Sequence, residues 1–491
     1  MIQKDLIQLI KTMSSSEKRT FKLYGNKQGG DKSYLYLFDI INKEAPNSIH
    51  QEFNKKFPGK NYESICRYLL KIITDSLVNT RKEKDKWFQQ YQSLMRSKIL
   101  MERSITQYAY KELKHAQDLS NKIQDNLVYY LTCYLDVKYW SDIGFSGKSE
   151  DEIIQMHMSA KSSLRLLHKI QEQSSLFDIL KYRGVHSGKS FSKKDDEKLN
   201  DLLISELTLI AREFHDNFES NKLHLLFQSF FFVNTGDYKS SLKCFYDLND
   251  LFEQNKSVWS SPPYEYLNTL EGILDNLRTI KQYSEMNFYI KKLETLINGD
   301  YPENFRIIAL QNIFIYKLVL LIHQQRIPEA KNLAESIPAH LLKDSTIPDY
   351  EKLTELLFTI SLISFSEKKY AKAIRQLAVT TKFGTINFNL SIYKVTRLMQ
   401  IIIHYELNDV DYLEYEIRSY KRTFKKIGKT SQIEKMIFAV IRLDPKKKSK
   451  YVKAVLWKKI AERIGGISEN RYENQILKYY DFTNWIRSKL T

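Results

Sequence analysis

The chain has 491 residues, 43% hydrophobic and 13% aromatic, which is apolar enough to exclude global disorder and too long for one compact core. Its 15 glycines and 9 prolines are fewer than one residue in twenty. Average usage is about 12% for the pair, so strand-and-turn folds are disfavoured and long helices with short connections are favoured. The net charge of +18 is uneven, with 19 Lys and Arg against 10 Asp and Glu in residues 1–100, 9 against 15 in 201–300 and 20 against 11 in 401–491. Basic ends of this kind attract phosphate-bearing partners, although solvated lysine-rich helix faces carry the same signature.

From the start, Met1 to Asp5 lead directly into an amphipathic stripe of Ile2, Leu6, Leu9, Ile10 and Met13, with no apolar run of signal-peptide type. Ser14-Ser15-Ser16-Glu17 reads as a capping box opening a second helix with Phe21 and Tyr24. Gly25 to Gly30 predicts a turn, and Asp31 a cap for a helix carrying Tyr34, Leu35, Leu37, Phe38 and Ile41. Pro46-Asn47-Ser48 breaks that helix and caps a short one to Phe57, and a longer helix follows from about Tyr62 to Val78. The six charged residues Arg81 to Lys86 mark the end of an N-terminal helical domain, residues 1–83.

Beyond that point the organising feature is repetition. Take Tyr238, at the turn Thr235-Gly236-Asp237-Tyr238, as an anchor. Ser241, Phe245 and Leu248 follow it at three, seven and ten residues, and Phe232, Ser229 and Leu225 precede it at six, nine and thirteen. The pattern recurs at Tyr283, with Met286, Ile290 and Leu293 after and Leu277, Leu274 and Leu270 before. It recurs at Ile327, with Ala330, Ala334 and Ile337 after and Leu321, Leu318 and Phe314 before. Tyr370 has Ala373 and Leu377 after it, with Ser361 and Leu357 before. A weaker copy at Val410 has Leu413 and Ile417 but puts Arg397 where a core residue belongs. The anchors stand 45, 44, 43 and 40 residues apart, and an earlier copy near Thr106 carries Ala109, Leu113 and Ala116. Between these lies one predicted long helix from about Asp151 to Tyr182. After about Lys429 the pattern ends in Asp444-Pro445 and a run of lysines, then a closing amphipathic helix with Trp485 and Ile486.

Anchor, small and large positions in this order resemble the tetratricopeptide repeat, whose standard period is about 34 residues. Ser14 to Tyr24 and Trp485 to Leu490 also resemble the two end motifs of an uncharacterised family of bacterial tetratricopeptide-like proteins of this length. The resemblance implies an all-α fold, a tetratricopeptide-like (TPR-like) α-solenoid of long helix pairs with a small N-terminal helical domain, and it implies no activity. The expected organisation is residues 1–83, a repeat array over 84–428, and basic capping helices over 429–491.

Candidate chemistry is sparse. Gly184 to Ser190 and Gly144 to Ser149 imitate a phosphate-binding loop but have too few residues between the glycines and follow no strand. The ten histidines are scattered and the three cysteines, Cys66, Cys133 and Cys244, are isolated, so no metal, cofactor or disulfide framework is expected. No Ser, Cys or Thr lies in a nucleophile-elbow context, and the Asp195-Asp196 pair lies in loop-like sequence. The most apolar stretch, Ile313 to Ile322, is ten residues and is broken by Lys317, short of the roughly 20 that a membrane span needs. The expectation is a cytoplasmic, non-catalytic scaffold that binds a protein or peptide.

Two surfaces are candidates for binding. The inward positions of the first helices hold Asn268, Glu271, Asp275 and Arg278 in one copy, Ile315, Val319 and Ile322 in the next, and Phe358, Leu362 and Phe365 in the third. These make either a partner groove with an acidic rim and an apolar trough, or a seam packed against further helices. Lys421, Arg422, Lys425 and Lys426 make one basic helical face. That face and the basic N-terminal domain support the alternative function, a nucleic-acid-associated regulator.

Overall fold

The computed structural model describes residues 2–27, 32–43, 49–186, 197, 199–212, 217–342, 350–381, 391–424, 431–444, 446, 448–467, 470 and 473–490. Among them the regular structure is helical throughout, without a strand. Helices α1 (Ile2–Thr12), α2 (Ser15–Lys27), α3 (Ser33–Lys43), α4 (Ile49–Lys56) and α5 (Tyr62–Lys84) come first, then α6 (Lys86–Glu102), α7 (Thr106–Lys122) and α8 (Asn126–Asp142). Two more follow, α9 (Glu150–His186) and α10 (Asn200–Arg212). Five pairs come next: α11 (Phe218–Thr235) with α12 (Tyr238–Gln254), α13 (Tyr264–Thr279) with α14 (Tyr283–Leu296), α15 (Glu303–His323) with α16 (Ile327–Glu335), α17 (Tyr350–Ser366) with α18 (Tyr370–Thr381), and α19 (Ser391–Leu407) with α20 (Val410–Phe424). The closing helices are α21 (Gln432–Leu443), α22 (Lys450–Ile467), α23 (Asn474–Leu477) and α24 (Phe482–Leu490). Two compact units result: Met1–Gln171 with Asn255–Pro263 and Gly299–Arg306, and Glu172–Gln254 with Tyr264–Asn298 and Ile307–Thr491.

In the first unit, helices α1 to α5 have a core of their own. Leu6, Ile10, Phe21, Phe38, Phe53 and Ile73 are fully buried there, with the Phe21 and Phe38 rings 4.6 Å apart. The Ser14 capping box forms as read: the Ser14 amide donates to Glu17 Oε2 at 2.8 Å and the Glu17 amide to Ser14 Oγ at 3.2 Å. Gly25, expected in a turn, lies inside α2 instead, where a Cβ would stand 2.8 Å from Leu35 Cδ2. Its lack of a side chain serves packing there. The expected caps at Asp31 and at Pro46 to Ser48 lie outside the described residues. Helix α5 runs six residues beyond the expected Val78 and ends at Lys84, where the Asp85 carboxylate accepts from the Trp87 amide and starts α6. Cys66, Cys133 and Cys244 are free thiols and buried.

The repeat rests on one turn used seven times. In each case the second residue before the next helix is left-handed: Ser104, Gln124, Gly236, Lys281, Gln325, Lys368 and Asn408 have φ between 53° and 77°. The following amide then reaches back over the end of the preceding helix to the carbonyl five residues earlier. Asp237 donates to Phe232, Gln282 to Leu277, Arg326 to Leu321 and Lys369 to Ser364, each at 2.9 Å. This is the Schellman closure, and it satisfies carbonyls that a helix end leaves unpaired. Because the same bond closes each turn, the second helix leaves in the same direction each time, and the seam positions named by sequence spacing meet. Ser241, Met286, Ala330 and Ala373 are fully buried, as are Ser229, Leu274, Leu318 and Ser361. The first of these seams is tight enough for Ser241 Oγ to donate to the Ser229 carbonyl at 3.1 Å. Arg397, the misfit of the last copy, is accommodated by an ion pair to Glu416 at 2.6 Å across the α19–α20 pair.

Helix α9 extends from Glu150 to His186, longer than read, and takes Gly184 into its last turn, whereas Ser187 to Ser190 and Asp195-Asp196 lie outside the described residues. Helix α15 also exceeds the ten-residue reading of Ile313 to Ile322. Its 21 residues, with mean hydropathy 1.8 over the most apolar window, are long and apolar enough by composition to cross a membrane. The same residues bury Ile315, Tyr316 and Leu318 in the second unit, as a core helix does.

A lysine or glutamine in the left-handed region costs about 1 kcal/mol relative to glycine. Lys368→Gly and Gln325→Gly, both exposed, are therefore each expected to raise the urea midpoint by an amount worth about 1 kcal/mol, and Gly236→Ala to lower it by about as much. Gly272 of α13 sits against Phe245, and a Cβ there would meet the ring at 2.4 Å. Gly272→Ala is expected to destabilise the chain by about 1–3 kcal/mol through overpacking, read in the same unfolding experiment.

Candidate functional site

The inward row of α13 presents Glu271, Asp275 and Arg278 at intervals of four and three residues, so all three share one helix face. Helix α17 contributes Lys352 and Glu355, followed on the same face by Phe358, Leu362 and Phe365. The structure brings these rows together in the second unit around buried charge. Arg278 Nη1 donates to Glu355 Oε1 at 2.5 Å and Nη2 to Asp275 Oδ1 at 2.6 Å. Lys352 lies 2.5 Å from Glu271 Oε1 and 3.5 Å from Glu355 Oε2. The guanidinium stands over the Tyr316 ring at 5.6 Å and over the Tyr479 ring at 4.9 Å. Asn268 alone of the polar row is exposed.

The sixth charge comes from the far end of the chain. Lys478, between α23 and α24, donates to both oxygens of Asp275 at 2.9 and 2.8 Å. Three cations thereby face three carboxylates in the interior, which is the condition for burying charge without a large penalty. Burial opposes ionisation of Glu355, but the positive charges of Arg278 and Lys352 outweigh it and hold the carboxyl below its ordinary 4.5. Burial raises the Tyr316 and Tyr479 hydroxyls well above 10, so both stay neutral.

The same terminal segment fills the apolar row. Tyr479 meets Phe358 edge-on at 6.4 Å and Tyr480 meets Phe365 at 6.1 Å. Beyond them Trp485 Nε1 donates to Glu406 Oε1 at 2.7 Å, and Lys489 donates to Glu406 Oε2 at 2.9 Å. Ile476, Phe482, Trp485, Ile486 and Leu490 are all buried in the core shared by α17 to α24. At about 2 kcal/mol for each fully buried large side chain, they contribute on the order of 10 kcal/mol, as much as the net stability of a whole domain. Where an open partner groove was one expectation, the structure shows Phe358 and Leu362 sealed by the chain's own C-terminal segment. The rows Glu271–Arg278 and Phe358–Phe365 form an internal seam.

Sequence reading missed four of the participants, Lys352, Glu355, Lys478 and Tyr479. A lysine and a glutamate opening the otherwise apolar face of α17 were the available signal, and nothing local to Lys478 showed that it pairs with a carboxylate 203 residues away. Of the basic face, Lys421 and Arg422 are exposed on α20, and Lys425 and Lys426 lie outside the described residues.

No protein-family model matches the chain, and no curated protein sequence does. A crystal structure of aspartyl phosphate phosphatase F from Bacillus subtilis is similar at 13% identity and a TM-score of 0.38, covering 76% of this chain and 94% of that one.

Removing one partner of a buried ion pair leaves the other uncompensated, at about 3–5 kcal/mol. Glu355→Gln is therefore expected to lower stability by about that amount at pH 7. Because the folded-state pKa is depressed, the contribution of Glu355 is fully present above about pH 4.5 and lost as the pH falls through the lower folded value. The Glu355→Gln chain should accordingly lose stability less steeply than the unaltered chain between about pH 5 and 3 in acid titrations of the unfolding midpoint.

Proposed function

We propose that the chain is a non-catalytic helical-repeat scaffold that binds a protein partner on the outward surfaces of its helices. The observation that supports this is the set of apolar and aromatic side chains left exposed in rows at helical spacing. On α8, Leu127 is 60% exposed, Leu131 38% and Tyr134 50%, one row at intervals of four and three residues. On α20, Tyr412 is 54% exposed and Tyr415 58%, three residues apart on the helix. Single exposed apolar residues need no explanation, but rows of them mark interaction surfaces, and tyrosine is enriched at such surfaces because its ring is apolar and its hydroxyl polar. The inward face is used by the chain itself, so the outward rows remain for a partner.

The net charge of +18 and the exposed Lys421 and Arg422 favour a second reading, nucleic-acid association. Phosphate contacts would give an affinity that falls linearly with the logarithm of salt concentration.

Immobilised chain incubated with an extract of its source cells is expected to retain a defined protein that co-elutes with it as a stoichiometric complex in size-exclusion chromatography. Leu131→Glu with Tyr134→Glu, or Tyr412→Glu with Tyr415→Glu, is expected to abolish that complex while leaving the circular dichroism unchanged. Recovery of the chain alone, or a complex indifferent to both pairs, would remove the reading. An electrophoretic shift titrated with salt decides the second one, which fails if no shift appears at low salt.

A further inference from the structure

In three of the earlier pairs, the residues three and seven places after the turn anchor are sealed: Ser241 and Phe245, Met286 and Ile290, and Ala373 and Leu377 are all buried. The neighbouring pair supplies part of that seal. Helix α13 packs on α12 closely enough to put Gly272 against the Phe245 ring, and α19 packs on α18. At α20 the equivalent residues Leu413 and Ile417 are only half-buried. Helix α21 faces them with Phe438 and Ile441, but a cleft of about 620 Å³ remains between the two helices. Val410, Leu413, Ile417 and Lys421 line one side of it at intervals of three, four and four residues. At 1.5 Å per residue that stripe is roughly 16 Å long, about three turns of helix.

The charge at the cleft is asymmetric. Lys421 stands 5.3 Å from the centroid of the Phe438 ring, and neither Lys421 nor Arg442 has an anionic partner among the described residues. Glu414, on the same wall, is paired with Arg418 at 3.3 Å. Lys446 is occupied at the inner end, donating to the Tyr405 carbonyl at 2.8 Å and to Asn408 Oδ1 at 2.7 Å. Asp444 lies at that same end, beside the Tyr405 hydroxyl. The mouth of the cleft is therefore apolar with two uncompensated cations.

We propose that this cleft takes an acidic amphipathic helix of a partner protein, lying where a further repeat would place its first helix. The apolar stripe of the partner covers Leu413, Ile417, Phe438 and Ile441, and its carboxylates face Lys421 and Arg442. Helix-in-groove recognition uses this combination of apolar anchors at helical spacing and complementary flanking charge. The proposal rests on the protein-binding reading and names the chemistry of one of its surfaces.

The test uses the full chain and two fluorescent synthetic 14-residue helical peptides. Both carry leucine at positions one, four, eight and eleven, with glutamate at the flanking positions in one and lysine in the other. The acidic peptide is expected to bind saturably in fluorescence anisotropy, at least tenfold more tightly than the basic one. Lys421→Glu with Arg442→Glu, both exposed, should reverse that preference, and hydrogen exchange should slow over 410–421 and 438–442 on binding. Equal affinity for the two peptides, or a preference untouched by the charge reversal, would overturn the proposal. So would displacement of the acidic peptide by micromolar laurate, which would make the cleft a site for a small amphiphile. If partner capture persists in the charge-reversed chain, this cleft assignment falls while the scaffold reading stands.

Discussion

The structure depends on the close approach of two helices at each turn. A left-handed residue followed by a backbone bond to the carbonyl five residues earlier fixes how the chain leaves one helix and enters the next. Once that direction is fixed, residues three, seven and ten places on must lie against those six, nine and thirteen places back, and each seam is packed or not according to their sizes. Glycine fills the left-handed position in only one of the seven turns, at Gly236. In the others the closure bond and the seam carry a backbone strain that glycine would relieve, so packing outweighs local preference there.

The second unit also encloses a six-membered charge network. Arg278, Lys352 and Lys478 against Glu271, Asp275 and Glu355 neutralise one another, and none of the six could be buried alone. Such a network commonly adds less net stability than apolar packing of the same volume. Lys478 pairs with Asp275 while Tyr479 lies under Arg278 and Tyr480 beside Phe365. The buried ion pairs hold the C-terminal segment in one position, and its apolar residues supply the energy that keeps it there.

That arrangement closes the inward face shared by α13 and α17. A helical-repeat array has an inner face suited to a segment of polypeptide, and here the chain supplies that segment itself. Among the surfaces left open are the exposed apolar side chains of α8 and α20 and the cleft between α20 and α21. The basic residues Lys421 and Arg442 line that cleft, so apolar surface and positive charge coincide there.

Much of this was legible in the residues themselves. The all-α class follows from the scarcity of glycine and proline and from 3.6-residue periodicity, both local properties of the chain. The anchors at Tyr238, Tyr283, Ile327, Tyr370 and Val410 start their helices as spacing alone indicated, because a turn and its two flanking seams are all encoded within about thirty residues. Glu271, Asp275 and Arg278 share one helix face for the same reason. Whether that face is open was decided only by tertiary structure. Its cover lies some 200 residues away, and no local pattern records that Lys478 and Tyr479 return to it. Short-range spacing sets helices and pairs, whereas the partner of a buried charge is chosen by long-range packing, where burying the whole C-terminal segment outweighs the preferences of any single turn.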